Sequence, residues 1–99
     1  MVRHIVSWNY REEVSSEKRE ELNAYFCKAF PALVDLIPGV LKVDFFAPPL
    51  PSSSKDLCLY VEMAGPEVID VYANHPEHIK VAQHIRANCK DRCCTDIEA

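Results

Sequence analysis

The hydrophobic period of this chain changes in a fixed order along its length: two, helical, two, two, helical, two. That order limits its folds more than any single motif does. Residues 2–10 alternate, with His4, Val6, Trp8 and Tyr10 on one side and Arg3, Ile5, Ser7 and Asn9 on the other, as a strand requires. Ser15 and Ser16 then offer helix-capping hydroxyls, and Glu17 suits the positive end of a helix dipole. Leu22, Phe26, Ala29, Leu33 and Leu36 follow at helical spacing. A first helix is expected over about residues 16–36, kinked or broken between Cys27 and Pro31 because proline lacks the amide donor, and stopped by Pro38 and Gly39.

A second strand is expected over Val40–Ala47, with Leu41, Val43 and Phe45 on one face and Val40, Lys42, Asp44 and Phe46 on the other. Pro48 to Lys55 holds three prolines and three serines and reads as an exposed loop. A third strand follows from Asp56 to Met63, with Leu57, Leu59, Val61 and Met63 on one face, and Gly65 and Pro66 end it. Val68, Ile69, Val71 and Tyr72 then form a short amphipathic helical turn, interrupted at His75 and Pro76. Pro76 is suited to open a further helical segment, in which Ile79, Ala82, Ile85 and Cys89 share a stripe and His84 lies off it. Cys93 to Glu98 reads as a last strand.

Strand, helix, strand, strand, helix, strand is the split βαβ order of ferredoxin-like α+β domains, a four-stranded antiparallel sheet with its helices on one face. Several strands carry large apolar residues in both alternating sets, Ile5 with Val6, Phe45 with Phe46 and Leu59 with Tyr60, where a half-solvated sheet would be polar on one side. A second copy packed sheet to sheet is the expected cover, since a twofold dimer needs only one self-complementary patch.

Length and charge exclude several classes of function. Residues 1–99 are one domain's worth of chain, which buries roughly two-thirds of its unfolded surface and leaves little core around a large internal ligand. Fifteen acids against eleven bases, with no run of like charge beyond two residues, leave no footprint for nucleic acid. No stretch approaches the roughly 20 apolar residues of a membrane span, and no secretory segment is visible, so a cytoplasmic location is expected. Five cysteines in that setting read as free thiols. The two glycines, Gly39 and Gly65, make no phosphate-cradling loop.

Val2 to Val6, the Ile37-Pro38-Gly39-Val40 turn, Asp56 to Glu62, the Tyr72-Ala73-Asn74-His75-Pro76-Glu77-His78 segment and Thr95 to Glu98 together resemble the stress-responsive A/B barrel domain, or Dabb, family over essentially the whole chain. The resemblance implies ferredoxin-like subunits that pair into a dimeric α+β barrel. A plant branch of that family contains a cofactor-free polyketide cyclase that uses a tyrosine and the second histidine of the His-Pro-x-His segment, and Tyr72 and His78 stand at those positions here. His4 matches a further pocket histidine of that cyclase, whose strand-three histidine is replaced here by the Leu57–Cys58 region.

His78, with an ordinary pKa of roughly 6.5, can exchange a proton near neutrality, and the Tyr72 hydroxyl can hold a developing enolate oxygen. Those two are the candidate catalytic residues, and His4, His75 and Trp8 are candidate ligand-binding residues. Structural roles are open for the same positions: His75 as a cap before Pro76, His78 packed at a helix start, Tyr72 in the core stripe with Val68, and His4 as a satisfied core histidine. Trp8, Tyr25, Phe26, Phe45, Phe46, Tyr60 and Tyr72 could wall a cavity or fill a core. His75 and His78 with Cys89, Cys93 and Cys94 supply zinc-type donors at spacings that match no zinc pattern, so no metal is expected. No cofactor is expected either. The residues leave three functions open: a dimer that binds a small aromatic or hydrophobic molecule, a cyclase-like acid–base enzyme, and a cofactor-independent monooxygenase.

Overall fold

The computed structural model describes residues 1–99 and has the order β1 (Val2–Tyr10), α1 (Ser16–Ala29), a 3-10 turn (Pro31–Asp35), β2 (Val40–Phe46), β3 (Leu57–Met63), α2 (Val68–Asn74), α3 (Pro76–Asn88) and β4 (Cys89–Glu98). The strands form one antiparallel sheet in the order β2-β3-β1-β4, the ferredoxin-like topology that the periodicity implies. One face is buried by the helices. Val6, Trp8, Leu57, Leu59, Val61 and Phe45 of the sheet meet Leu22, Phe26, Val68, Tyr72, Val81 and Ile85 of the helices in a single core. No helix is long and apolar enough to cross a membrane.

The first helix is shorter than its apolar spacing suggests. Ser15 caps it, accepting from the Lys18 amide, and the α-helix stops at Ala29 because Pro31 has no amide to continue it. The chain then tightens into the 3-10 turn, which buries Leu33 but leaves Leu36 half exposed, off the expected stripe. Gly39 takes a φ of 85° in the following turn, where a Cβ would come within 2.7 Å of Val68.

In β2 the expected faces hold for Val43 and Phe45 and fail for Leu41. The register slips between Val40 and Lys42, so the intervening Leu41 is bulged and 54% exposed while Val40 is buried. A second slip lies between β1 and β4, where Ser7 faces Cys93 but Asn9 faces Lys90. Trp8 therefore has two partners, Asp91 and Arg92, and Asp91 takes a φ of 56°, a left-handed conformation that aspartate tolerates better than most residues. β4 begins at Cys89, earlier than its composition suggests.

The face away from the helices is mixed. Arg3, Ile5, Ser7, Cys58, Tyr60, Glu62, Phe46 and Ile97 lie on it, with Tyr60 donating to Glu62 at 2.6 Å and Phe46 and Ile97 about half exposed.

Candidate functional site

A cavity of about 480 Å³ opens between the sheet and α3. His4, Val6 and Trp8 of β1, Leu59 of β3, Phe30, and Ile85 and Cys89 from α3 and its end form its inner wall. Trp8 stacks on Phe45 at 6.4 Å, and Phe45 stacks on Phe30 at 4.9 Å, so the aromatic wall is fixed by the core behind it.

The break between α2 and α3 sets the orientation of His78. His75 adopts an extended conformation there, and its Nδ1 accepts from the Glu77 amide at 3.1 Å, capping α3, while Pro76 occupies the first helical turn. His78 falls one turn into α3 and reaches back to the end of α2, where its Nδ1–H donates to the Ala73 carbonyl at 3.2 Å. Ala73 is in the last turn of α2, whose carbonyls lack partners within the helix. A carbonyl only accepts, so Nδ1 carries the hydrogen and the neutral ring keeps its free lone pair on Nε2. Burial pushes His78 below its ordinary value, the Ala73 carbonyl opposes this, and the neighbouring charges of His4, Arg86 and Arg92 push it further down. The ring is neutral at pH 7. It lines the cavity.

His4 is 7% exposed, and its Nδ1–H donates to the Asp96 carboxylate at 2.5 Å. The antiparallel register pairs these residues directly. Between the two histidines stands Tyr72, its ring 4.3 Å from His78 and 5.8 Å from His4 by centroids. The phenol is 2% exposed, sits behind the histidines rather than in the cavity lining, and its hydroxyl is the one buried side-chain oxygen or nitrogen without a hydrogen-bond partner. Burial raises its pKa strongly, so it is a donor.

The structure thus gathers His4, Tyr72 and His78 and puts Trp8 beside them, whereas His75 is turned into a helix cap outside the lining. Of the aromatic residues that could wall a cavity, Phe26 and Phe45 are core, Tyr25 and Phe46 are exposed, and Tyr60 lies on the other sheet face. Asp96 is the site residue that spacing alone does not reveal, because its link to His4 comes from strand register. Cys89 borders the cavity with a thiol that burial raises to about 11, so no thiolate nucleophile is present there at neutral pH. The zinc-type donors His75, His78, Cys89 and Cys93 do not converge. The one group of three metal-capable side chains is His4, Cys94 and Asp96, with ligand atoms within 4.8 Å of one another.

A model of the stress responsive A/B barrel domain family matches residues 2–99. Among solved structures, a dimeric protein of unknown function and ferredoxin-like fold from Bacteroides fragilis is 28% identical, covering 99% of this chain and 95% of its own, with a TM-score of 0.92. A protein from Arabidopsis thaliana is 20% identical over 100% of this chain and 95% of its own, with a TM-score of 0.76. A hydroxynitrile lyase from Passiflora edulis is 14% identical over 97% of this chain and 90% of its own, with a TM-score of 0.71. No curated protein matches the chain.

Proposed function

The chain belongs to the stress responsive A/B barrel domain family, and from that premise we propose that it binds a small aromatic or hydrophobic carbonyl compound in the sheet–helix cavity and moves a proton on it without a cofactor. The observation that carries this is the His78 tautomer: Nδ1–H is committed to the Ala73 carbonyl, which leaves Nε2 as a neutral base on a ring that lines the cavity.

In the proposed step, Nε2 takes a proton from the carbon next to the carbonyl. The C–H pair becomes the enolate π bond, and the carbonyl pair moves onto oxygen. That oxygen needs a donor, and we assign it the Tyr72 hydroxyl, which is unpartnered on a ring packed against His78. Tyr72 lies outside the lining of the free protein, so the bound ligand must open the Tyr72–His78 contact to reach it. Once Nε2–H has exchanged with solvent, delivery of a solvent hydron to the same carbon gives isotope exchange. Attack of that carbon on a second carbonyl of the molecule moves that carbonyl's π pair onto its oxygen, which takes the Nε2 proton and completes ring closure. The His4–Asp96 pair holds the opposite wall. The unit of function is a homodimer, closed over Ile5, Phe46, Tyr60 and Ile97, in line with the Bacteroides fragilis relative, which is dimeric.

Solvent exchange of the central protons of 1-phenylbutane-1,3-dione in deuterated buffer, followed by proton NMR, tests the reading. The wild-type protein accelerates exchange beyond an equal concentration of imidazole, and His78→Ala loses about 100-fold of that acceleration. A wild-type rate equal to the imidazole control, or full activity in His78→Ala, overturns it.

A further inference from the structure

The chain as a whole carries a formal charge of −4, yet the cavity wall is cationic. Four of its fifteen lining residues are basic, Arg11, Arg86, Lys90 and Arg92, against one carboxylate, Asp91. Basic residues are eleven of 99 over the chain, so the cavity collects them against the overall balance.

Two of the four are already engaged. The Arg11 guanidinium donates to the Arg86 carbonyl at 3.3 Å, and Lys90 donates to Glu12 at 3.1 Å. Asp91 is engaged too, its carboxylate accepting from the amide of Asn9 at 3.2 Å and its carbonyl accepting from Lys55 at 2.8 Å. Arg86 and Arg92 remain, and neither has a carboxylate partner within ion-pair distance. The favourable end of the α3 dipole accounts for a cation at Arg86 but not at Arg92, which comes from the sheet.

The bulge opposite Trp8 supplies the second argument. A regular strand alternates faces, so Lys90, Asp91 and Arg92 could not all border one cavity; with the extra residue they do. An irregularity with a left-handed aspartate, tied down by Asn9 and Lys55, brings this run to the cavity beside α3.

We propose that the cavity recognises an anionic ligand, a small apolar carboxylic acid whose carboxylate sits between Arg86 and Arg92 while its body lies against Val6, Trp8, Leu59 and Ile85. This rests on the proposed carbonyl-binding role of the same cavity and narrows it to keto or aryl acids. Guanidinium groups suit a carboxylate because their paired N–H donors match its two oxygens.

The test is calorimetric titration with 2-naphthoate and with its neutral isostere 2-naphthamide, on the wild-type chain and on the double variant Arg86→Gln, Arg92→Gln. The wild type takes the acid about tenfold more tightly than the amide, and the double variant takes both alike with its amide affinity unchanged, which also shows that its cavity is intact. Equal affinities in the wild type, or an acid preference that survives in the double variant, overturn the anion site while leaving the apolar cavity standing. Failure of both probes to bind the wild type overturns the anion site and the carbonyl-binding reading together.

Discussion

His4 and Asp96 are 92 positions apart in sequence and 2.5 Å apart in the fold, joined because β1 and β4 pair in a register that sets them opposite each other. A buried imidazole is thereby held in one orientation, its Nδ1 on the carboxylate, by the strand that completes the sheet.

Replacing that carboxylate tests what it holds. Asp96→Asn loses the charge on the acceptor, and since the Asp96 side chain is 37% exposed the cost is modest, about 1 kcal/mol. Urea unfolding reads this directly, and a drop in melting temperature of roughly 4–8 °C accompanies it. An unchanged midpoint shows that the short contact adds nothing to the folded state.

Tyr72 tests the opposite case. Its hydroxyl is buried without a partner, so Tyr72→Phe removes a desolvation penalty and raises stability by about 1 kcal/mol while slowing diketone exchange. A variant that is both less stable and fully active would mean that the hydroxyl serves packing rather than the ligand.

The pH dependence of stability follows from His78. Burial, aided by the positive charges of His4, Arg86 and Arg92 and opposed by the Ala73 carbonyl, puts its folded pKa below the unfolded value of 6.5. Between those two values the unfolded chain binds more protons, so stability rises with pH across that window and is lost as pH falls through it. Unfolding free energies from pH 5 to 8 for the wild type and His78→Gln isolate this term. The variant has the flatter profile, and parallel profiles would assign the dependence to other groups.

The open sheet face makes a separate prediction. Ile5 lies centrally on it, between Tyr60 and Thr95 in the cross-strand rows, so a dimer closed over this face tolerates no charge there. Light scattering at micromolar concentration gives the mass of two chains for the wild type and of one for Ile5→Lys. A wild-type mass of one chain contradicts the dimer.

Much of this site is legible in local spacing, and the rest depends on what lies across the sheet. Alternation in residues 2–10 puts His4 and Trp8 on the face with Val6, and the His75–Pro76 pair marks the helix break that orients His78. Asp96 is invisible to such reasoning because no local period connects it to His4. The cation run at residues 90–92 is hidden for a related reason: one inserted residue in β4 changes which side chains share a face. Leu41 is misplaced by the same effect in β2, where parity fails at a bulge that nothing in Val40-Leu41-Lys42 announces. Leu36 follows the helical stripe on paper, but Pro31 turns the segment into a tighter helix with a different period.

The proposed proton transfer requires a neutral His78 with an unprotonated Nε2 on the cavity wall, and long-range proton–nitrogen NMR of ¹⁵N-histidine-labelled protein at pH 7 measures it. A protonated Nδ1 and a pyridine-like Nε2 shift are expected for His78, with Nε2 moving when 1-phenylbutane-1,3-dione is added. A pyridine-like Nδ1, or two protonated nitrogens at that pH, would contradict it.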